Sequence, residues 1–439
     1  MREVSTYEQA EAYLLETIDE TLSRRTSYKL DRMREFLRQL GDPHKSYATI
    51  HIGGTSGKGS TSTMIAAALQ AAGRRTGLHT KPHLSSMTER ARIDGRPIAR
   101  DRFAEILGAM MPAIESTTAS HGRPTYYETL LALTFLYFAQ ERVEVAVIEV
   151  GLGGRLDGTN VVEPLVAAIT SVGYDHMEVL GTTIEEIAFE KAGIAKRGVP
   201  LVLANLPPAA REVVEGHAAE VGAPVIRVAD VVRVTFEGSL SHQQMLAISG
   251  PRGSFQLRLA ALGIFARANA ATAIAVLEQL SADLRPSFQA LANAFESLEI
   301  AGRMELVSRN PAILFDIAHN AEKAESLVAS LRERFAGRRV HYVVAIGESK
   351  DARTILQIFA DVPSTFTFTS FSVAGRRAIA PARLAAIAES LGTWGRAITD
   401  PVEALMVARR RAQIDDVVVV TGSTFVVAAL RALYVPTPA

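Results

Sequence analysis

The chain has 439 residues, 47 basic side chains against 47 acidic ones, and a formal net charge of zero. A balanced charge leaves no electrostatic footprint for duplex nucleic acid or an anionic membrane surface. The complete lack of cysteine excludes disulfides, thiolate metal centres and cysteine nucleophiles.

The length predicts two or three domains, each able to bury a core. The first 40 residues are charged and helix-like, without the apolar stretch of a signal peptide. Leu130 to Ala139 is too short to span a bilayer and reads as a core helix. A soluble, cytoplasmic globular protein with no nucleic-acid or membrane partner is the expectation, taken as a monomer.

In chain order, Thr49–Gly53 predicts a strand and Ser60–Ala72 a helix. Between them runs Gly54-Thr55-Ser56-Gly57-Lys58-Gly59-Ser60, followed by Thr61. A glycine-rich turn from strand to helix lets backbone N–H groups and the helix N-terminus surround a phosphate, with lysine adding a point charge. The strict phosphate-loop pattern is not met, because Ile52 holds the first glycine position and the hydroxyl arrives one residue late, at Ser60. A structural turn is the competing reading.

Helices are predicted over Arg102–Ile114 and Glu128–Glu141, then a strand over Val145–Val150 that carries Glu149 near its end. A carboxylate closing a buried strand, in a chain with a phosphate loop, suits a nucleotide-bound Mg²⁺; an edge carboxylate facing water is the alternative. Gly151 to Asn160 follows, with Arg155, Asp157 and Asn160 as polar contacts. Leu156 spoils a dinucleotide fingerprint there.

Val166–Ser171 predicts the next strand, leading into Asp175-His176. Ile184–Ala195 is a helix that carries Lys191, and Pro200–Ala204 a further strand. Taken singly, His176 reads as a structural histidine and Lys191 as a solvated lysine. Val225 to Leu259 shortens into alternating strands with glycine turns, predicting an antiparallel insert before a helix at Ala266–Leu280.

Ala301-Gly302 interrupts the pattern near Leu298 to Arg303, and α/β alternation then restarts. Strands are predicted at Ala312–Ile317, His341–Ile346, Thr365–Phe371 and Asp416–Thr421. Helices are predicted at Ala321–Phe335, Pro381–Leu391 and Val402–Ala412. The expected fold is α/β, with a larger ATP-binding domain over 1–300 and a smaller Rossmann-like domain over 301–439.

Read together, these segments resemble folylpolyglutamate synthase/dihydrofolate synthase of the Mur-ligase superfamily. The resemblance rests on Gly-Thr-x-Gly-Lys-Gly-Ser, Pro-His-Leu, Thr-Glu-Arg, the Glu149–Asn160 stretch, Asp-His, Glu-Lys-Ala-Gly-Ile, Gly-Arg and Asp316-Ile317-Ala318-His319-Asn320. It implies an ATP-dependent ligase of folate biosynthesis and one-carbon metabolism, joining a pterin-linked carboxylate to L-glutamate through an acyl phosphate. It also implies two Mg²⁺, the first held by Ser60 and Glu149 and the second by His176 with a carbamylated Lys191.

Gly54 to Thr61, Asn269, Arg303, Asp316 and His319 are implied ATP contacts, with Lys58, Lys191, Arg303 and His176 in catalytic roles. His83, Tyr127, Arg155, Asp157 and Gly158 are implied substrate contacts.

Several positions depart from the family pattern. Lys81 precedes Pro82 where the family carries a serine that joins the first metal's shell, and a protonated lysine has donors only. A cation that neutralises a phosphate, one that meets the substrate carboxylate, and a solvated side chain all stay open. Gly158 stands for an alanine, and Gly347 to Asp351 is a reduced form of the family's Asp-Lys-Asp segment. A specialised Mur-type ligase for a non-folate acid, and a nucleotide-binding protein or simple ATPase, are the rival readings.

Overall fold

The computed structural model describes residues 4–16, 30–240, 242–373 and 376–435. Its centre is an eight-stranded sheet built from β1 (Ala48–Gly53), β2 (Thr76–His79), β3 (Ala91–Ile93), β4 (Arg96–Pro97), β5 (Val145–Glu149), β6 (Val166–Ile169), β7 (Leu201–Leu203) and β8 (Val225–Arg227). The spatial order is β4-β3-β2-β5-β1-β6-β7-β8. All neighbours are parallel except the β2–β3 and β3–β4 pairs.

A parallel sheet must be covered on both faces, and the β5 alternation shows how this is done. Val145 and Val147 join one cluster with the helices Lys58–Ala71, Phe265–Glu278 and Phe288–Glu296. Ala146 and Ile148 join another with Arg100–His121 and Tyr126–Gln140. Farther along the sheet, Ile184–Ala192 and Pro208–Val221 cover Ala167, Ile169, Leu201 and Leu203. Chain order reverses at β1, so the crevice where an open α/β sheet binds ligand lies at that strand's carboxyl end.

The antiparallel insert is shorter than its sequence pattern suggests. Val225–Arg227 is the parallel edge strand β8, paired with Leu201–Leu203. The insert proper is β9 (Arg233–Leu240), β10 (Gln243–Gly250) and β11 (Gly253–Leu259), in the order β11-β10-β9. Its inner face, with Leu246, Ile248, Leu257 and Leu259, packs into the first sheet's core.

Residues 297–304 lead into a six-stranded sheet made of β12 (Glu305–Arg309), β13 (Ala312–Phe315), β14 (Val340–Val344), β15 (Ser364–Phe368), β18 (Gly395–Ala397) and β19 (Val417–Thr421). The order is β12-β13-β19-β14-β15-β18, parallel apart from β12. A two-stranded ribbon, β16 (Ser372–Val373) with β17 (Arg376–Arg377), stands apart. One face of the sheet holds Tyr342 stacked between Phe359 and Phe366, at ring-centroid distances of 4.9 and 5.3 Å.

The two sheets' units touch beside the insert, where Ile264 N donates to Ser330 Oγ at 3.1 Å and Arg267 pairs with Glu333. Among the described residues no helix is long and apolar enough to cross a membrane.

Candidate active site

The phosphate loop is shaped by two glycines and pinned by the exit of β6. Gly54 has φ 140° and Gly57 φ 84°, regions that L side chains rarely adopt. A Cβ on Gly54 would collide with Thr170 Oγ1. Thr170 Oγ1 donates to Ser56 O at 2.6 Å; Ser171 Oγ accepts from Ser56 N at 2.7 Å. Thr55 Oγ1 accepts from Gly173 N at 3.0 Å.

The predicted strand through Ser171 therefore ends early, at Ile169: Thr170 N makes a last bond to Gly53 O of β1 at 2.9 Å, and Ser171 then bonds to the loop, its O accepting from Thr55 N at 2.9 Å. The helix begins at Lys58, two residues earlier than its apolar pattern. Lys58 Nζ folds back onto the carbonyls of Gly54 (2.9 Å) and Thr55 (3.1 Å). Burial lowers the pKa of Lys58, against the pull of Glu149 and Asp175.

Glu149 ends β5 at 3% exposure, and burial raises its pKa, opposed chiefly by Lys58. Its Oε2 accepts from Lys81 N at 3.0 Å, and a Cβ on Gly59 would sit 3.2 Å from the same oxygen. Its Oε1 has no protein hydrogen-bond partner among the described residues. Ser60 lies on the adjoining first helical turn. A carboxylate and a hydroxyl are the hard oxygen donors that Mg²⁺ takes alongside substrate phosphates and water. The donor set therefore suits that ion, although no group of three or more acidic or histidine side chains gathers at metal spacing among the described residues.

On the next turn of the wall, His176 caps a short helix with φ 51°. Its ring is half-exposed, 3.9 Å from Asp175 Oδ1 and 3.6 Å from Glu178 Oε1. Lys191 is 3% exposed, and its ammonium has no protein partner among the described residues. Burial, reinforced by Lys58 and Lys81, pushes its pKa down to about 7. An amine tuned that far is substantially neutral near pH 7.

The opposite wall comes from the second sheet's unit. Gly302 (φ 64°) turns the chain and Arg303 follows, half-buried and close enough to act on Lys58, Glu149 and Asp316. Asp316 is buried at the end of β13, and burial raises its pKa. Its Oδ2 accepts from Met304 N and its Oδ1 from Ala318 N, both at 2.9 Å, so it ties the Arg303 turn to the strand exit.

His319 Nδ1 donates to Ile317 O at 2.8 Å, which leaves Nε2 to accept from Lys323 Nζ at 3.2 Å. Burial keeps the ring neutral, with its pKa pushed down to about 3. Lys323 Nζ also approaches Asp175 Oδ2, to 4.0 Å, from across the cleft. Asn269 is buried against Gly57.

The substrate-contact candidates are more dispersed. Tyr127 lies in van der Waals reach of Gly151, near His79 at a 6.2 Å centroid distance, with its hydroxyl 3.5 Å from Asp157 Oδ1. Asp157 is occupied locally: Oδ2 accepts from Leu152 N at 2.7 Å and Oδ1 from Thr159 N at 3.0 Å. Arg155 turns to Glu190 at 2.8 Å and over the Phe189 ring. Gly158 faces Leu131 and Met33 in the core. His83 Nδ1 accepts from Arg90 Nε at 3.0 Å, and burial lowers the pKa of His83 to about 4.

Sequence reasoning met Arg90 only within the Thr-Glu-Arg motif, with no role given, and passed over Thr170, Ser171 and Lys323. Thr170 and Ser171 are the one recoverable signal, two hydroxyls where the apolar strand pattern stops. Lys81, left open by the sequence, is half-buried, and Lys58, Glu149 and Asp157 all act on its charge.

Residues 52–277 match the family described as Mur ligase middle domain, and residues 302–424 match Mur ligase, glutamate ligase domain. A dihydrofolate synthase/folylpolyglutamate synthase of Bacillus subtilis is 33% identical over 407 residues, covering 92% of this chain and 94% of its own. A Mycobacterium tuberculosis folylpolyglutamate synthase, solved with ADP and AMPPCP, superposes with a TM-score of 0.89 at 30% identity, covering 100% of each chain. A bifunctional folylpolyglutamate synthase/dihydrofolate synthase of Yersinia pestis, solved with AMPPNP and a Mn ion, gives 0.85 at 28% identity over 99% of each chain.

Proposed function

The chain belongs to the folylpolyglutamate synthase/dihydrofolate synthase family of Mur ligases, and on that premise we propose how its cleft performs the family's reaction. The protein is an ATP-dependent ligase that forms an amide between a pteroate or folate carboxylate and L-glutamate. It binds nucleotide and a divalent metal, as its relatives do. The observation that carries the residue assignment is that Glu149 and Asn269 pack against Gly59 and Gly57 of the phosphate loop, while Lys323 of the other unit reaches Asp175 beside it at 4.0 Å; the charge of Arg303, felt by Lys58 and Glu149, supports it.

Two bond exchanges make up the chemistry. A carboxylate oxygen of the pterin-linked acid attacks the γ-phosphorus of ATP, and the bond to the bridging oxygen breaks to release ADP. The amino nitrogen of L-glutamate then attacks the acyl carbon, phosphate departs with the C–O electron pair, and one amine proton is lost. Phosphoryl transfer needs alignment and charge neutralisation more than covalent help.

The amides of Gly54 to Thr61 and the Lys58 ammonium hold the phosphates, while Arg303 meets the charge that spreads on the transferred group. Asp316 and His319 fix the Arg303 turn and the nucleotide-facing loop, and Asn269 holds Gly57 in place. Tyr127 and His83 line the acid-binding side. Approach of the two units excludes water from the acyl phosphate.

Ser60 and Glu149 would hold one Mg²⁺, and His176 with Lys191 a second, neutralising phosphate charge in both steps. For Lys191 to be a ligand its neutral amine must add to CO₂, forming an N–C bond, breaking one C–O π bond and releasing one proton, which turns the neutral amine into an anionic carbamate. Its lowered pKa supports that step. A ¹³C resonance of a carbamate in protein equilibrated with ¹³C-bicarbonate, lost in Lys191→Ala, is the expected outcome; its absence from the wild type removes the modification.

The reaction is tested by ADP release with glutamate and either dihydropteroate, tetrahydrofolate or no acceptor, with product masses. Release should require glutamate together with an acceptor, and the productive acceptor separates dihydrofolate synthesis from polyglutamate extension. Release independent of both would make the protein an ATPase, and release with another acid alone a specialised ligase.

A further inference from the structure

We propose that Lys81 is a phosphate-binding residue, whose ammonium takes the nucleotide's terminal phosphates directly, so that nucleotide binding outlasts removal of divalent metal. The proposal rests on the reading of the cleft as an ATP site and adds a ligand to it.

The backbone sets the position. β2 runs parallel to β5 with His79 level with Ile148, so residue 81 emerges beside Glu149 at the strands' carboxyl end. The Lys81 amide then donates to Glu149 Oε2 at 3.0 Å, fixing the residue against the carboxylate that backs the phosphate loop. The side chain is half-buried there. Its charge is felt by Lys58, Glu149 and Asp157, and by Lys191 and His176.

The electrostatics then name the ligand. Lys81 Nζ makes no hydrogen bond or ion pair among the described residues. Lys191 is likewise without a protein partner, and Lys58 has only the loop carbonyls of Gly54 and Thr55. Two ammonium groups, Lys58 and Lys81, thus act on each other beside Glu149, with Asp157 also acting on both. Their mutual repulsion falls when an anion of several charges lies between them.

A polyphosphate fits that need better than the single charge of a substrate carboxylate, and the loop amides beside Lys58 already present phosphate donors. An ammonium has three donors and no acceptor, so beside Glu149 it competes with a metal for phosphate oxygens and cannot ligate one.

The test is calorimetric titration of the full-length protein with AMPPNP, in excess Mg²⁺ and in excess EDTA, for wild type, Lys81→Ser and Lys81→Gln. Wild type should lose less than about tenfold in affinity on chelation, and both variants should bind metal-free AMPPNP at least about tenfold more weakly than wild type. Thermal unfolding without nucleotide checks the fold, and both variants should melt at or above the wild-type temperature because a repulsive charge has gone. Equal metal-free affinities in variant and wild type, with Mg²⁺-AMPPNP still bound, overturn the proposal and leave the ATP reading standing. Failure of the wild type to bind Mg²⁺-AMPPNP overturns both.

Discussion

Asn269 Oδ1 lies 2.5 Å from the point at which a Cβ on Gly57 would project, so helix Phe265–Glu278 and the phosphate loop fit together only while residue 57 has no side chain. Gly57→Ala should cost about 1–2 kcal/mol in backbone strain alone, given φ of 84°. It should also weaken AMPPNP binding at least about tenfold by displacing the loop amides. Titration calorimetry and thermal unfolding read the two effects separately. Wild-type affinity in this variant would show that the loop tolerates a shift of Asn269.

On the proposed reading, Lys58 meets the reacting phosphate directly and Glu149 would meet it through a metal. Lys58→Ala should lower glutamate-dependent ADP release at least ~10²-fold, about 3 kcal/mol of transition-state stabilisation. Glu149→Gln keeps an oxygen that can accept from Lys81 N and removes only the charge. It should leave the melting temperature near wild type while cutting turnover by a similar factor. Near-wild-type ligation by either variant would remove that residue from the site.

Arg32 and Glu128 form a nearly buried pair, with Arg32 Nε at 2.8 Å from Glu128 Oε2 and Nη2 at 3.1 Å from Oε1. Glu128 also accepts from Thr125 N at 2.8 Å, so the pair anchors the start of the helix that carries Tyr127. Arg32→Met should destabilise the protein by about 3–5 kcal/mol, because a buried carboxylate loses its partner. Urea unfolding measures this, and a loss below about 1 kcal/mol would contradict it.

Stability should fall on acidification. His51 and His79 are both held neutral by burial, their pKa values pushed down to about 3. The unfolded chain takes up those protons near pH 6.5, so the folded state binds fewer protons below that pH. The stabilisation is complete above about pH 6.5 and is lost as pH falls towards 3, by about 1.4 kcal/mol per pH unit for each ring. Urea unfolding between pH 7 and 4.5 should show this slope, and it should flatten in His51→Gln. An unchanged slope in that variant would exclude His51 as a source.

The parallel strands, the phosphate loop and the restart beyond Gly302 could be read from the sequence because each leaves a local pattern: an apolar run, a glycine spacing or a break. Two short strands did not leave one. Thr76–His79 and Ala91–Ile93 are interrupted by Thr76, Gly77, His79 and Arg92, whereas the equally short Val166–Ile169 and Leu201–Leu203 are wholly apolar runs. With them went the reason that Lys81 emerges beside Glu149. Val225–Arg227 was absorbed into the antiparallel insert because three residues carry no sign of parallel or antiparallel pairing.

At the site, Lys58 and Glu149 stood out through strand-end context. Arg90 and Lys323 did not, since their partners His83 and Asp175 are fixed by turns and by the meeting of two units. Asp157 and Arg155 show the opposite limit, as polar residues beside a ligand-type loop whose bonds are satisfied by their own neighbourhood.

The insert β9–β11 gives the molecule a spine. Arg267, at the foot of the helix that follows it, pairs with Glu333, and Ile264 bonds to Ser330, so this margin of the two units is buttoned shut. At the nucleotide margin the ion pair between units is the looser 4.0 Å approach of Lys323 to Asp175. The two units are therefore joined by paired side chains along one margin and by a longer ionic contact along the other. On the proposed reading, a triphosphate reaching Lys58 on one unit and Lys323 on the other would tie together the margin that the protein's own bonds hold less tightly.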